Sequence, residues 1–233
     1  ASGGLPFGFV HRGNFKRMTH LGDARGQVAL SDLPRASGAW GLGATAELEG
    51  EIIQLDGKLL VSRGTDPQGR VEPPEAGAQA ALFAGAQVAA WHDVPVPRDM
   101  DQGQSEAFVA AQAEALGLSL KHPFVFRIEG SFPTMVWHVV TGVKPTAAAH
   151  GTQGHQAMQA GGHANQQSGM RVFRQPGVKG QLIGVYSGSN LEGIVSHPGE
   201  RFHAHFADDG VRTSGHVDAY SIAAGAVLKL PVR

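Results

Sequence analysis

The sequence lacks cysteine, has almost no net charge and lacks long apolar runs. With no Cys among 233 residues, disulfide bonds, thiolate metal sites and cysteine nucleophiles are excluded, so any metal would be held by histidine and carboxylate side chains. A net charge of -1 and a pI near 7.0 offer no basic surface for nucleic acid or an anionic membrane. No apolar run approaches the roughly 20 residues that span a bilayer. We therefore expect neither nucleic acid nor membrane as a partner.

The length and the first residue bound the organisation and the location of the protein. A chain of 233 residues forms one large domain or two small ones, each able to bury a core. The sequence begins at Ala1 rather than Met, which fits a removed secretory signal and equally fits a trimmed chain. The location stays unknown from the sequence. Because cysteine is absent, a periplasmic or secreted location is favoured over a cytoplasmic one.

The segment "AELEGEIIQLDGKLLVSRG" predicts a β-hairpin. Two extended runs flank Asp56 and Gly57, and this dipeptide favours the two-residue type I′ turn because glycine accepts a positive φ. Strand alternation places Glu51 on the same face as Ile53. Periodicity alone favours a solvated rim for Glu51, where the apolar face ends.

Strand-like runs dominate the rest of the chain, and one segment is typical of a helix. "SEAFVAAQAEALG" has helical spacing, with Ser105 as its predicted N-cap and Gly117 at C′. The stretch from Pro145 to Gly169 is rich in Ala, Gly, Gln and His and indicates a surface loop. Strands therefore dominate, with a minor helical contribution, and we predict an α+β fold.

Three histidines in "GERFHAHFADDGVRTSGHVDAY" form the strongest candidate site. His203 and His205 are two residues apart on a predicted strand, so they share a face, and His216 opens the next run. Three imidazoles on one side of a cation leave coordination positions open, as in catalytic sites. Zinc suits imidazole, although other divalent transition metals also accept it. On spacing alone, metal binding and a chance or structural origin of the HxH pair have equal weight. The remaining histidines of the middle and end are assigned no metal role: His92, His138, His150, His155, His163 and His197.

A cupin barrel is a second explanation for two histidines spaced in this way. That fold carries a carboxylate a few residues after its HxH pair, and Asp209 stands at a suitable offset. Its third histidine comes from a distant hairpin, whereas His216 follows His205 by only eleven residues. The cupin interpretation therefore ranks second.

Several segments together resemble the α-acetolactate decarboxylases. The strongest match is "PGERFHAHFADDGVRTSGHVDAY", with its HxH pair, its acidic turn and its Gly-His. "VKGQLIGVY" and "LEGIVSHPG" resemble the family's approach to the metal strands, and "FVFRIEGSF" resembles its central Arg-Ile-acidic-Gly strand. "GLGATAELEGEIIQLDGKLL" is similar to its N-terminal hairpin. The resemblance covers roughly residues 40 to 222, in order along the chain.

The resemblance implies a fold, a cofactor and a reaction. Family members have two β-rich subdomains and are commonly dimeric, so we expect β-rich mixed sheets in two packed subdomains and a homodimer. The expected divisions are an N-terminal β-rich subdomain with one helix (1–145), a His/Gly/Gln-rich loop (146–179) and a C-terminal β subdomain carrying the metal site (180–233). Zn2+ held by His203, His205 and His216 would bind the oxygens of a small hydroxy-keto substrate. The reaction would decarboxylate a 2-hydroxy-3-oxo acid such as 2-acetolactate to acetoin through a zinc-stabilised enediolate. Glu51 matches the family's active-site glutamate and would protonate that enediolate, which outweighs the rim interpretation.

The chain also departs from the family pattern. His138 stands where the family has an active-site arginine, and an imidazole offers neither a permanent charge nor a bidentate fork. Ala44 replaces a threonine, with Thr45 adjacent, and the family's C-terminal glutamate has no counterpart before Arg233. The predicted catalytic residues are therefore Glu51 and His138. Two alternatives stay open: a lyase or isomerase of the same scaffold acting on a different hydroxy-ketone by retro-aldol or ketol chemistry, and a non-catalytic metal- or ligand-binding relative.

Overall fold

The computed structural model describes residues 4–142 and 169–233. Two antiparallel sheets and two α-helices make up most of this part of the chain. The first sheet contains β1 (Val10–Arg12), β2 (Val28–Ala29), β3 (Ala39–Thr45), β4 (Gly50–Leu55), β5 (Lys58–Arg63), β6 (Val71–Glu72) and β7 (Gln79–Gln87). The second contains β8 (Trp91–Pro95), β9 (Met100–Asp101), β10 (Phe124–Phe132), β11 (Met135–Val140), β12 (Met170–Arg174), β13 (Val178–Tyr186), β14 (Phe202–Asp208), β15 (Ser214–Ile222) and β16 (Val227–Pro231). The helices are α1 (Phe15–His20) and α2 (Gln102–Ala115).

The first sheet contains the predicted hairpin. Its strands follow the order β1-β7-β3-β4-β5-β6, with β2 paired to β7. Between β4 and β5, Asp56 and Gly57 have φ values of 49° and 89°, as a type I′ turn requires. A Cβ on Gly57 would lie 2.6 Å from the carbonyl oxygen of Arg35, so the turn needs glycine for both its conformation and its space. The hairpin prediction is confirmed.

The second sheet contains β14 and β15, which carry His203, His205 and His216. It includes more of the chain than the sequence suggests. Its order is β12-β11-β15-β14-β13-β10-β16-β8, with β9 paired to β15. The two sheets therefore divide at residues 88–90, and not near residue 145, because β10 and β11 hydrogen-bond to β13 and β15. The predicted loop 146–179 includes β12 and the start of β13. Residues 146–168 of the predicted loop lie outside the described residues.

Helix α2 begins earlier than its predicted N-cap. Asp101 is the N-cap, and its carboxylate accepts the backbone N–H of Gln104 at 2.8 Å while the Gln104 side chain accepts the N–H of Asp101 at 3.0 Å. This reciprocal capping box satisfies two helix-terminal donors. The N-cap assignment of Ser105 was therefore wrong: Ser105 is buried and accepts a hydrogen bond from the Tyr220 hydroxyl at 3.0 Å. Gly117 lies at C′ with φ 82°, as predicted.

The sheets pack face to face, and α2 covers the outer face of the second sheet. Apolar side chains of both sheets share one core, which contains Trp40, Leu42, Ile53, Leu60, Val125, Ile183, Val185 and Ala207. A second core lies between α2 and the second sheet and includes Val109, Ala113, Phe126 and Phe206. Since Phe206 and Ala207 belong to different cores, alternate residues of β14 face opposite layers. The face shared by His203, His205 and Ala207 therefore points toward the first sheet.

This architecture confirms the β-rich α+β class in two packed subdomains. All strand pairings described are antiparallel. The longest described helix, α2, has 14 residues. None of the helices in the described ranges is long and apolar enough to cross a membrane.

Candidate metal centre and its acidic neighbours

His203, His205 and His216, which we call the histidine cluster, converge between the two sheets. β14 and β15 pair antiparallel with His205 directly opposite His216, and His203 lies two residues before His205 on the same face. Nε2 of His203 is 3.1 Å from Nδ1 of His216. The His205 ring centroid is 5.2 Å from that of His203 and 5.5 Å from that of His216. One ligand atom from each ring lies within 4.8 Å of the others.

Burial keeps the histidine cluster uncharged. His205 is fully buried and His203 is 5% exposed. Desolvation lowers the pKa of His203 to about 4. Burial also lowers the pKa of His205 and of His216 well below the ordinary value of 6.5, and the neighbouring imidazoles add to the effect. All three rings are therefore neutral near pH 7, the form in which imidazole binds a metal.

The hydrogen bonds of the histidine cluster turn nitrogen lone pairs toward one another, with Nε2 of His203 within hydrogen-bond distance of Nδ1 of His216. Nδ1 of His203 donates to the carbonyl oxygen of Val195 at 3.0 Å, which fixes the ring and leaves its Nε2 unprotonated. Nε2 of His205 is buried and has no hydrogen-bond partner among the described residues. A buried polar atom without a partner is costly, and a cation would satisfy it. The donor set and its geometry therefore fit one divalent metal ion.

Glu51 lies beside the histidine cluster and not at a solvated rim. It extends from β4 toward the second sheet and is 4% exposed. Its Oε2 is 3.7 Å from Nε2 of His205, its Oε1 is 3.7 Å from Nε2 of His138, and Oε1 accepts the backbone N–H of Val140 at 3.4 Å. Burial raises the pKa of Glu51 to about 8, although the nearby His138 acts in the opposite direction. The rim interpretation is thus wrong, and Glu51 is a buried acid at the cluster.

His138 joins the same group from β11. It lies opposite His216 across the β11–β15 pairing, and the two rings stack with centroids 4.6 Å apart and 26° between their planes. Nδ1 of His138 is 2.8 Å from both carboxylate oxygens of Asp218. Burial lowers the pKa of His138, but the hydrogen bond and the charge of Asp218, with that of Glu51, outweigh burial and raise it above 6.5. His138 is therefore a stronger base than the three histidines of the cluster.

Asp218 is the site residue that sequence reasoning missed. It follows His216 by two residues on one strand, but its contact with His138 depends on a β-bulge, which the alternation of strand residues does not reveal. Other described positions that the sequence singles out have different surroundings. Buried Ala44 precedes Thr45, whose hydroxyl donates to the carbonyl oxygen of Gly50 at 3.4 Å, and His92 is exposed on β8. His150, His155 and His163 lie outside the described residues.

Comparison with known proteins identifies the family. The family model described as alpha-acetolactate decarboxylase matches residues 17–230, which is most of the chain. The chain belongs to the alpha-acetolactate decarboxylase family. No curated protein matches it. The resemblance read from the sequence is therefore confirmed at the level of the family.

Solved structures of the family share the fold. Acetolactate decarboxylase from Bacillus subtilis subspecies spizizenii matches with a TM-score of 0.73 at 19% identity. The alpha-acetolactate decarboxylase of Bacillus subtilis strain 168 matches with 0.71 at 20%. A Staphylococcus aureus protein of unknown function, similar to alpha-acetolactate decarboxylase, matches with 0.70 at 17%. Each match covers 97% of this chain and 86% of the other. At these identities the likeness establishes the fold.

In this member of the decarboxylase family, Arg127 on β10 lies away from the histidine cluster. Arg127 is 9% exposed, and its guanidinium lies 3.7 Å from the centroid of the Trp40 ring and pairs with Glu129. Such a cation–π contact between β10 and β3 links the two sheets. Arg127 is therefore a structural residue, and the position that faces Glu51 is held by His138.

A cavity of about 720 Å³ opens onto the histidine cluster in this family member. His203, His216 and Asp218 form part of its wall, and His197 and Phe15 lie near them. Three further carboxylates line it, those of Glu106, Glu192 and Glu200, together with Arg201, whose guanidinium binds Glu192 at 3.1 Å. The described wall is thus rich in acidic groups, and its arginine is already paired.

Proposed function

We propose that this chain is a zinc-dependent carbon–carbon lyase that decarboxylates a 2-hydroxy-3-oxo acid such as 2-acetolactate to acetoin. The observation that carries the proposal is the buried Glu51 carboxyl, 3.7 Å from His205, beside three neutral imidazoles that converge within 4.8 Å. Membership of the family supports the reaction class. His203, His205 and His216 would hold the ion. When bound, zinc supplies a Lewis acid that polarises the substrate ketone.

The protein's own residues would handle the proton. Loss of CO2 breaks a carbon–carbon bond and leaves the electron pair on the substrate, so the carbon that loses CO2 must receive a proton. Glu51 is suited to deliver it, because its carboxyl lies 3.7 Å from His205 and burial raises the pKa of Glu51 to about 8 in the metal-free protein, which favours the protonated acid. His138 lies on the other side of Glu51, with Nε2 3.7 Å from Oε1. It would keep the carboxyl in place and hydrogen-bond the reactant, where the family has an arginine.

The cavity favours a second candidate, a lyase or isomerase of the same scaffold acting on a larger hydroxy-ketone. A volume of about 720 Å³ lies in the range that accepts drug-sized ligands, whereas 2-acetolactate is much smaller. The acidic wall, with Arg201 paired to Glu192, is better suited to hydroxyl groups than to a second carboxylate. Retro-aldol or ketol chemistry on such a substrate would use the same polarised ketone and the same proton donor.

One assay separates these candidates from a relative that only binds a metal or ligand. Purified zinc-loaded chain is incubated with racemic 2-acetolactate, and acetoin is measured; parallel reactions contain longer neutral hydroxy-ketones, including a ketose. Acetoin formation supports the decarboxylase. Turnover of the neutral ketones alone would replace it with the second candidate. Bound zinc without turnover of any of these compounds would overturn both and leave the binding relative.

A further inference from the structure

Asp218 makes a two-oxygen contact with one nitrogen of His138. Both carboxylate oxygens lie 2.8 Å from Nδ1, which is an ordinary hydrogen-bond distance. The two side chains are well covered, at 14% exposed for Asp218 and 10% for His138. An ionised carboxylate only accepts hydrogen bonds, so the proton of this contact belongs to Nδ1 of His138.

A β-bulge places Asp218 in this position. Along the pairing of β11 with β15, His138 opposes His216 and Trp137 opposes Val217, but Val136 opposes Ala219. Asp218 is therefore the extra residue of the bulge, with no partner in β11. Bulges of this kind re-aim a side chain and recur beside active sites.

The contact with Asp218 fixes which nitrogen of His138 faces the reaction centre. The ring is held between the Asp218 carboxylate at Nδ1 and the stacked ring of His216, 4.6 Å away. Its Nε2 is consequently turned toward Oε1 of Glu51 at 3.7 Å. Catalytic hydrogen bonds are often this long before the reactant closes the site.

We propose that Asp218 is a positioning residue: it accepts the Nδ1–H of His138 and so directs Nε2 toward Glu51 and the substrate. The inference rests on the proposed function for its catalytic consequence, but the orientation of the ring does not depend on that function. Without Asp218 the imidazole would be free to turn over and to present either nitrogen. An arginine has five N–H donors around one planar guanidinium, whereas a histidine has two ring nitrogens and must be oriented so that a defined one faces the site.

The same atoms have a competing interpretation as metal ligands. Ligand atoms of His138, His216 and Asp218 lie within 4.8 Å of one another. A nitrogen that donates a proton to a carboxylate is not free to bind an ion, and the 2.8 Å contacts favour the hydrogen bond. Zinc content therefore has to be measured together with activity.

The test compares D218A, D218N and H138A with the double variant D218A/H138A, and uses D209A and D209N as controls on an exposed aspartate. For each zinc-loaded protein we would measure zinc per chain, kcat and KM on the substrate that the wild type turns over, and the ring tautomer of His138 by ¹⁵N NMR. We expect the wild type to carry its hydrogen-bonded proton on Nδ1 and D218A to lose that signal while keeping its zinc. We expect kcat of D218A to fall about tenfold to a hundredfold with little change in KM, and the controls to match the wild type.

Two further comparisons distinguish positioning from a general structural role. D218N keeps an acceptor oxygen, so it should be several-fold more active than D218A, and it carries the test if D218A fails to fold. The double variant should be no less active than H138A, because Asp218 acts only through His138. Loss of zinc in D218A, additive losses in the double variant, or a wild-type ring whose Nδ1 carries no proton would each overturn the inference. A wild type that turns over no substrate would contradict the proposed function, while the NMR result would still decide the orientation.

Discussion

Replacing Glu51 by Gln keeps the size of the side chain and removes its acidic proton. In the metal-free protein the pKa of the buried Glu51 is raised to about 8, so the folded state holds a proton at pH 7 that the unfolded state, with the ordinary value of 4.5, has released. The gap between 4.5 and pH 7 is two and a half pKa units, each about 1.36 kcal/mol. Glu51 thus destabilises the fold by up to about 3 kcal/mol at pH 7.

E51Q is therefore expected to raise stability and lower activity. The metal-free variant should unfold at a higher temperature than the wild type at pH 7, by an amount equivalent to about 1–3 kcal/mol, since burial of the neutral amide offsets part of the gain. The difference should shrink as the pH falls toward 4.5, where the unfolded wild-type side chain also becomes protonated. Zinc-loaded E51Q should keep its metal and lose at least about a hundredfold in kcat, as expected for loss of a general acid.

Differential scanning calorimetry across pH 4.5–7.5 and a steady-state assay check these two results. E49Q is the matched control, because Glu49 is exposed two residues earlier on the chain and receives the same replacement of Glu by Gln. A variant E51Q that is less stable than the wild type at pH 7, with no dependence on pH, would show that Glu51 is ionised and well bonded. Activity within a few-fold of the wild type would refute its role as proton donor.

Three further outcomes are expected. H203A should lose both zinc and turnover while H92A, on an exposed histidine of β8, keeps both, as measured by metal analysis and activity. In metal-free protein, thermal stability should fall as the pH drops from 6.5 toward 4, because the unfolded chain then binds protons that the buried histidine cluster refuses; with a pKa of about 4, His203 alone contributes a loss of about 2 kcal/mol at pH 5. On unfolding, the three histidines of the cluster take up about three protons and Glu51 releases about one, so a net uptake remains. A thermal midpoint that is flat or rises as the pH falls from 6.5 to 5 would therefore contradict the burial argument. G57A should cost at least about 1–2 kcal/mol in a denaturant titration, because φ is 89° at this turn and the added Cβ would also lie 2.6 Å from the carbonyl oxygen of Arg35; an unchanged midpoint would show that the turn adapts.

The local features of the fold could be predicted from the sequence. The Asp56-Gly57 turn is decided by two adjacent residues whose φ values only a few residue types accept. The convergence of the histidine cluster follows from the two-residue spacing of His203 and His205 and the short turn before His216. Each of these depends on neighbours close along the chain.

The predictions that failed concern features that depend on contacts between residues distant in sequence. Glu51 is buried because β11 and β15 of the second sheet cover the end of β4. The residue pattern of β4 alone does not predict this contact. The division of the sheets at residues 88–90 arises because β10 pairs with β13 and β16. Asp218 reaches His138 through a bulge, which the alternation of strand residues does not reveal. Asp101 displaces Ser105 as the N-cap because Gln104 completes its capping box.

The most direct measurement of the central claim is X-ray absorption spectroscopy on the zinc-loaded wild-type chain. The histidine cluster predicts one zinc per chain with three imidazole nitrogens at about 2.0–2.1 Å and oxygen donors in the remaining positions. Fewer than three imidazoles around the ion, or a second tightly bound zinc, would contradict the site described by His203, His205 and His216.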